Sequence, residues 1–132
     1  MKLFIHFLIT FVVFLGIDLI WLGFIAQNIY ANAIGHLMSP NVNWPAAIIF
    51  YIIFVVGILY FVVEPALIHQ NLTKLVFASA LFGFVTYATF DLTSLATLKD
   101  WPLNITIIDL VWGTSLSLLV SNISYFIIKL IS

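Results

Sequence analysis

Three aspartates, Asp18, Asp91 and Asp109, sit inside or at the ends of long apolar runs in a chain with little other charge. An ionised carboxylate costs roughly 2.5–3.5 kcal/mol at mid-bilayer even on lenient insertion scales, and helix packing does not need one. Such groups bind protons or cations, or divide into acid and base roles in catalysis. Trp21 follows Asp18 by three residues and Trp112 follows Asp109 by three, so each acid shares a helix face with an indole. Gly83, Tyr87 and Asp91 recur at steps of four and form another stripe, with Gly83 permitting a neighbouring helix to come close. Thr86, Thr89, Thr93, Ser94 and Thr97 add hydroxyls nearby. Together these residues outline an acidic pocket with aromatic walls, in which Trp21 and Trp112 offer cation–π faces. The plainer alternative is that each aspartate caps a helix or fixes helix register by one hydrogen bond, and Asp91 and Asp109 are near enough to helix ends to reach water. One such acid leaves the two readings level; three at one depth favour function.

The elements that must hold these residues follow from composition. The chain has 132 residues, 64% hydrophobic and 7% charged, and its mean hydropathy is +1.25. Soluble domains carry about 25% charged residues, so this chain cannot cover a surface for water. Four lysines and no arginine argue against a nucleic-acid partner, which needs clustered cations to neutralise phosphates. Without cysteine there is neither a disulfide nor a thiolate metal site. No Gly-rich phosphate loop, zinc-helix motif or serine-nucleophile elbow occurs.

The apolar segments are Leu3–Ile25, Ala46–Val63, Leu75–Phe90 and Ile105–Ile128. As helices they rise roughly 34, 27, 24 and 36 Å against a hydrocarbon core of about 30 Å. The third is short, which extends it through Asp91 and places that residue at membrane depth. The first is too long for a signal peptide and is read as a retained span, despite Ala31-Asn32-Ala33 as a possible cleavage motif. Trp44-Pro45 opens the second span and Trp101-Pro102 precedes the fourth, proline suiting a first turn and tryptophan the headgroup level. Glu64-Pro65 is expected to close the second span. The expectation is a single all-α domain: a four-helix transmembrane bundle with a short interfacial helix between spans one and two.

Lys2, Lys74, Lys129 and the N-terminal amine fall on one side, Lys99 on the other. The positive-inside rule then puts both termini on the cytoplasmic side of the membrane. Alternating spans bring Asp18, Asp91 and Asp109 to the same outer half, whichever way the protein is inserted.

Between Gln27 and Asn43, Ile29, Tyr30, Ala33, Ile34 and Leu37 fall at helical spacing among Gln27, Asn28, Asn32 and His36. A helix lying on the membrane surface would lid the pocket. His36, on the side of the acids, is a candidate general base or metal ligand, although an interfacial histidine with one hydrogen bond is the commoner case. His6 and His69 lie toward the other side with no obvious partner among the acids. Lys99-Asp100 reads as a solvated loop pair, or Lys99 as a cation reaching back to Asp91.

In these blocks the chain resembles a family of bacterial membrane proteins catalogued as domain of unknown function 2177. The resemblance rests on Asp18-Leu19-Ile20-Trp21-Leu22-Gly23 with Ala26 and Tyr30, then Gly35-His36-Leu37-Met38, Phe50-Tyr51 and Gly57. It continues through Tyr87-Ala88-Thr89-Phe90-Asp91-Leu92-Thr93, Ala96-Thr97-Leu98-Lys99, Trp101-Pro102 and Asp109-Leu110-Val111-Trp112-Gly113-Thr114. Ser94 departs from an asparagine usual in the family, so no role for that amide carries over. The resemblance implies a four-helix membrane domain with the aspartate blocks as family features. It supplies no activity, and its only functional pointer is toward lipid, since such genes often neighbour those of fatty-acyl-modifying enzymes.

Three functions are compatible with these residues. The first is binding or transport of a proton, a cation or a small cationic molecule at Asp18, Asp91, Asp109, Trp21, Trp112, Tyr87 and His36. The second is a membrane enzyme acting on lipid, the acids and His36 holding a divalent metal or serving as acid and base. The third is an accessory subunit of such an enzyme. So small a chain buries little interior, and self-association among membrane lipids is expected.

Overall fold

The computed structural model describes residues 2–38 and 43–131, with the side chains of 25–27 outside the description. The N-terminal amine of Met1, the side chain of Gln27 and positions 39–42 of the interfacial stretch, named in the sequence reading, therefore lie outside the described residues. Every element among the described residues is helical: α1 (Lys2–Ile20), a π-helical turn (Trp21–Ile25), α2 (Ala26–Ile34), a 3-10 turn (Gly35–Leu37), α3 (Trp44–Ile58), a second π turn (Leu59–Val63), α4 (Glu64–His69), α5 (Leu72–Thr97) and α6 (Leu103–Ile131). Four stretches, Lys2–Phe24, Trp44–His69, Leu72–Thr97 and Leu103–Ile131, are long and apolar enough to cross a membrane. The all-α, four-span architecture with a short helix between the first two spans is thus the one observed.

The second span departs from expectation. It does not close at Glu64-Pro65 but continues to His69. Pro65 has no N–H, and its ring crowds the carbonyl four residues back. The helix absorbs this by widening: the Glu64 N–H bonds the Leu59 carbonyl, five residues back rather than four. The chain then stops at Gln70, in the left-handed region at φ 51°, and Asn71 caps α5 by accepting from the Lys74 N–H at 3.1 Å. Asn43 likewise caps α3 through the Ala46 N–H at 3.2 Å. The third span is also longer than the apolar run alone, so Asp91 lies about a turn and a half inside the end of α5, as Asp109 does inside the start of α6.

The frame is the antiparallel α5–α6 hairpin, with α1 against the far flank of α6 and α3 beside α1. The hairpin seam is made of small and polar residues. On α5, Asp91, Gly83 and Ser79 are buried; on α6, Asp109, Gly113, Ser117 and Ser121 are buried, all at multiples of four residues. A Cβ at Gly83 would lie 2.3 Å from the Gly113 carbonyl oxygen, and one at Gly113 2.2 Å from Cγ of Tyr87. Lipid offers apolar side chains no incentive to associate, so close backbone approach through such residues is what holds membrane helices together.

The second span meets this hairpin unevenly. Its backbone approaches α5 and α6 closely only from Leu59–Val63 onward. Before that point the Phe54 ring bridges the gap, 5.5 Å from Phe82 and 6.2 Å from Tyr87 between centroids. The bundle is therefore tight at the end holding the chain termini and looser at the opposite, far end.

Candidate functional site

The far end holds a cavity of about 510 Å³. Asp18, Trp21 and Leu22 come to it from the first span, Tyr30, Ile34 and Met38 from the interfacial segment, Phe50 and Tyr51 from α3, Tyr87 from α5, and Asp109 and Trp112 from α6. Among the described residues, no lysine or histidine lines it. Two carboxylates thus face a mainly apolar space without a basic residue beside them.

Each acid has a phenol for a partner. Tyr30 donates its hydroxyl to Oδ1 of Asp109, 79 positions away in sequence. Burial, and the Asp109 carboxyl beside it, push the Tyr30 phenol above its ordinary value, which keeps it a donor. Tyr51 interacts with Asp18. Trp21 and Trp112 stack face to face, centroids 4.3 Å apart and planes within 9°, and the Tyr30 ring meets Trp21 edge-on. The stack brings the two Asp–Trp pairs of α1 and α6 into one wall. It also occupies one face of each indole, so only the outer faces remain for a cation. The π turn beginning at Trp21 lies where the first span leaves the wall and α2 begins, a placement typical of π-bulges at working sites.

Asp91 is brought to the same end but does not line the cavity. It is wholly buried, and neither carboxylate oxygen has a hydrogen-bond partner among the described residues. Asp109 is close enough to interact with it. The suggested reach of Lys99 to Asp91 is therefore not made. Phe50, Tyr87 and Asp109 also line a second space of about 460 Å³, completed by Thr86 and Phe90 on α5. Asp109 and Tyr87 thus stand between two cavities.

His36 is placed elsewhere. Its Nε2 lies 3.6 Å from Oδ2 of Asp100 in the α5–α6 loop, both side chains more than half exposed. It does not line the cavity, because the 3-10 turn at Gly35–Leu37 carries it past the wall formed by Tyr30 and Ile34. Among the described residues, no three histidine, aspartate or glutamate side chains converge closely enough to hold a metal. His6 also departs from the sequence reading: it does have an acidic partner, with Nδ1 2.7 Å from Oε2 of Glu64, because the helix continued through the π turn and turned Glu64 toward α1.

Tyr30 and Tyr51 were the site residues that sequence reasoning did not single out. Counting depth would have found Tyr51, seven residues into α3 and so at the level of Asp18. Tyr30 was placed on the apolar face of the interfacial helix, but nothing in that pattern says which acid its hydroxyl meets.

A family model described as "Predicted membrane protein (DUF2177)" matches residues 3–126. No curated protein and no solved structure matches the chain. A match over nearly the whole length shows the family, and the chain belongs to it.

Proposed function

We propose that this member of the DUF2177 family of membrane proteins binds a small, largely apolar molecule carrying one cationic group, in exchange for protons on its carboxyl groups. The observation that carries the reading is that Asp18 and Asp109, from two different spans, face one apolar cavity that no lysine or histidine of the described residues lines. A buried carboxyl in such a space is either protonated or paired with a cation that comes from outside the chain. The phenols of Tyr30 and Tyr51 supply one hydrogen bond to each acid and leave further oxygen lone pairs for the ligand. Asp91, close to Asp109 and without a hydrogen-bond partner among the described residues, serves as a reserve proton site. Lipid-facing surroundings favour a ligand that partitions into the membrane first.

Trp21 and Trp112 make the test direct. In detergent or nanodiscs, tryptophan fluorescence should respond to a hydrophobic quaternary ammonium ion and much less to its neutral carbon isostere. Binding should weaken as pH falls, and by about tenfold or more in Asp18→Asn or Asp109→Asn, equivalent to about 1.4 kcal/mol. Equal binding of the cation and its isostere, or an unchanged affinity in both variants, would remove the reading.

A further inference from the structure

We infer that the opposite end of the bundle, where the chain termini lie, carries a second and separate site for a phosphate-type oxyanion. A cavity of about 160 Å³ opens there, lined by Lys2 and His6 of α1, Gln70 of the α4–α5 link, and Tyr125 and Lys129 of α6. At about 30 Å³ per water it has room for some five waters, or one compact oxyanion. The Lys2 and Lys129 ammonium groups, the Gln70 carboxamide and the Tyr125 phenol are among its lining, and no aspartate or glutamate of the described residues lines it. Glu64, the nearest acid to His6, is already bound to that ring's Nδ1 at 2.7 Å.

The Tyr125 hydroxyl is what points to a ligand. The residue is 1% exposed, and its hydroxyl is buried without a partner among the described residues. A desolvated O–H with nothing to donate to is unfavourable, and an acceptor in this cavity would satisfy it. Tyr125 and Lys129 are one turn apart on α6, with the ammonium 5.7 Å from the ring centre. A phenol and an ammonium from one face of α6, joined by Lys2 across the cavity, make a donor set for an oxyanion. Lysine suits phosphate as a point charge, and a chain without arginine has no planar fork to offer instead.

Two sources supply this chemistry: the headgroup of an anionic phospholipid, or free inorganic phosphate. Three of the four lysines are placed at this end by the alternation of spans, and basic pockets between spans on the cytoplasmic side are where anionic headgroups settle. Purified full-length protein separates the sources. Native mass spectrometry against phosphatidylglycerol and phosphatidylcholine reads headgroup binding. Thermal unfolding with inorganic phosphate, against chloride at equal ionic strength, reads the free ion. One retained phosphatidylglycerol per chain, or a phosphate-specific rise in the unfolding midpoint, is expected. Either should fall about tenfold in apparent affinity in Lys2→Gln and severalfold in Tyr125→Phe, and be unchanged in Asp109→Asn. Lys2 is exposed at the start of α1, so its substitution leaves the fold intact. Binding of neither probe, or binding indifferent to both Lys2→Gln and Tyr125→Phe, overturns the inference.

Discussion

The two ends of this bundle solve the same problem in opposite ways. At the terminal end, an acid on one span meets a histidine on another: His6 and Glu64 satisfy each other within the protein, beneath a backbone that packs closely. At the far end, Asp18 and Asp109 each have a phenol as partner, and Asp91 meets no hydrogen-bond donor among the described residues. The second span stays back from α5 and α6 there, and the space left open is the cavity. An acid paired inside the chain fixes helices; acids left short of positive charge beside an opening ask for something from outside. The contrast separates a clamp from the proposed receptor, although both are built from carboxylates at similar distances from the helix ends.

The largest expected effect is on the seam both ends share. Gly83→Leu would force a side chain against the Gly113 carbonyl and Cβ of Ser117. Overpacking costs about 1–3 kcal/mol, and more where backbone must move. Loss of the monodisperse, helical protein by gel filtration and circular dichroism is expected, with both ends failing together. Gly16→Ala is the control: nothing lies within 4 Å of its Cβ, and alanine should stabilise that helix by about 0.5–1 kcal/mol.

The next variant separates the ends. His6→Ala removes the partner of a part-buried glutamate, a loss of about 3–5 kcal/mol when such a pair is fully buried and less here, where the Glu64 side chain keeps 24% exposure. The unfolding midpoint should drop while affinity for a cation at the far end holds. Should far-end binding fall in parallel, the clamp and the receptor are one unit and the contrast is broken.

How much of this was legible in the sequence follows from the same contrast. Meeting of the far-end acids at one depth needs only alternating spans and counted rise, and both are written in the apolar runs. So was the tight α5–α6 approach, since Gly83, Tyr87 and Asp91 advertise it at steps of four. The clamp was not legible, because it depends on Pro65 failing to stop a helix. A proline before which the helix widens to a π turn looks, in sequence, the same as one that ends it. The direction of His36 was not legible for a related reason: a 3-10 turn advances the side chain by a different angle from an α turn. Local pattern fixes the depth of a residue far better than its direction.

Tyr30→Phe sharpens the contrast with a smaller effect. It strips Asp109 of its phenol donor, which should cost about 1–3 kcal/mol of stability without bound cation and change cation affinity as well. Its pH signature has a definite sign. The folded protein holds the Tyr30 phenol above its ordinary value, whereas the unfolded chain releases that proton near pH 10. The contribution is therefore complete below about pH 10 and lost as pH rises beyond it. Urea unfolding at stepped alkaline pH should show this decline in the parent and a shallower one in Tyr30→Phe. Parallel declines would mean that the phenol is not held by Asp109.

The smallest effect belongs to the contact that looks most like a latch. His36 and Asp100 join the interfacial segment to the α5–α6 loop at 3.6 Å, with 54% and 64% of their side chains exposed. Water screens such a pair, and exposed ion pairs contribute a median of about 0–1 kcal/mol. The wall of the cavity on this side is held instead by Tyr30, through Asp109 and the edge of Trp21, and by the buried Ile34. His36→Ala should therefore leave the unfolding midpoint and cation affinity within error of the parent, where Tyr30→Phe moves both. A loss of affinity in His36→Ala comparable to that in Tyr30→Phe would transfer control of the cavity from its buried wall to its exposed rim. The far end would then be a gated receptor rather than a preformed one.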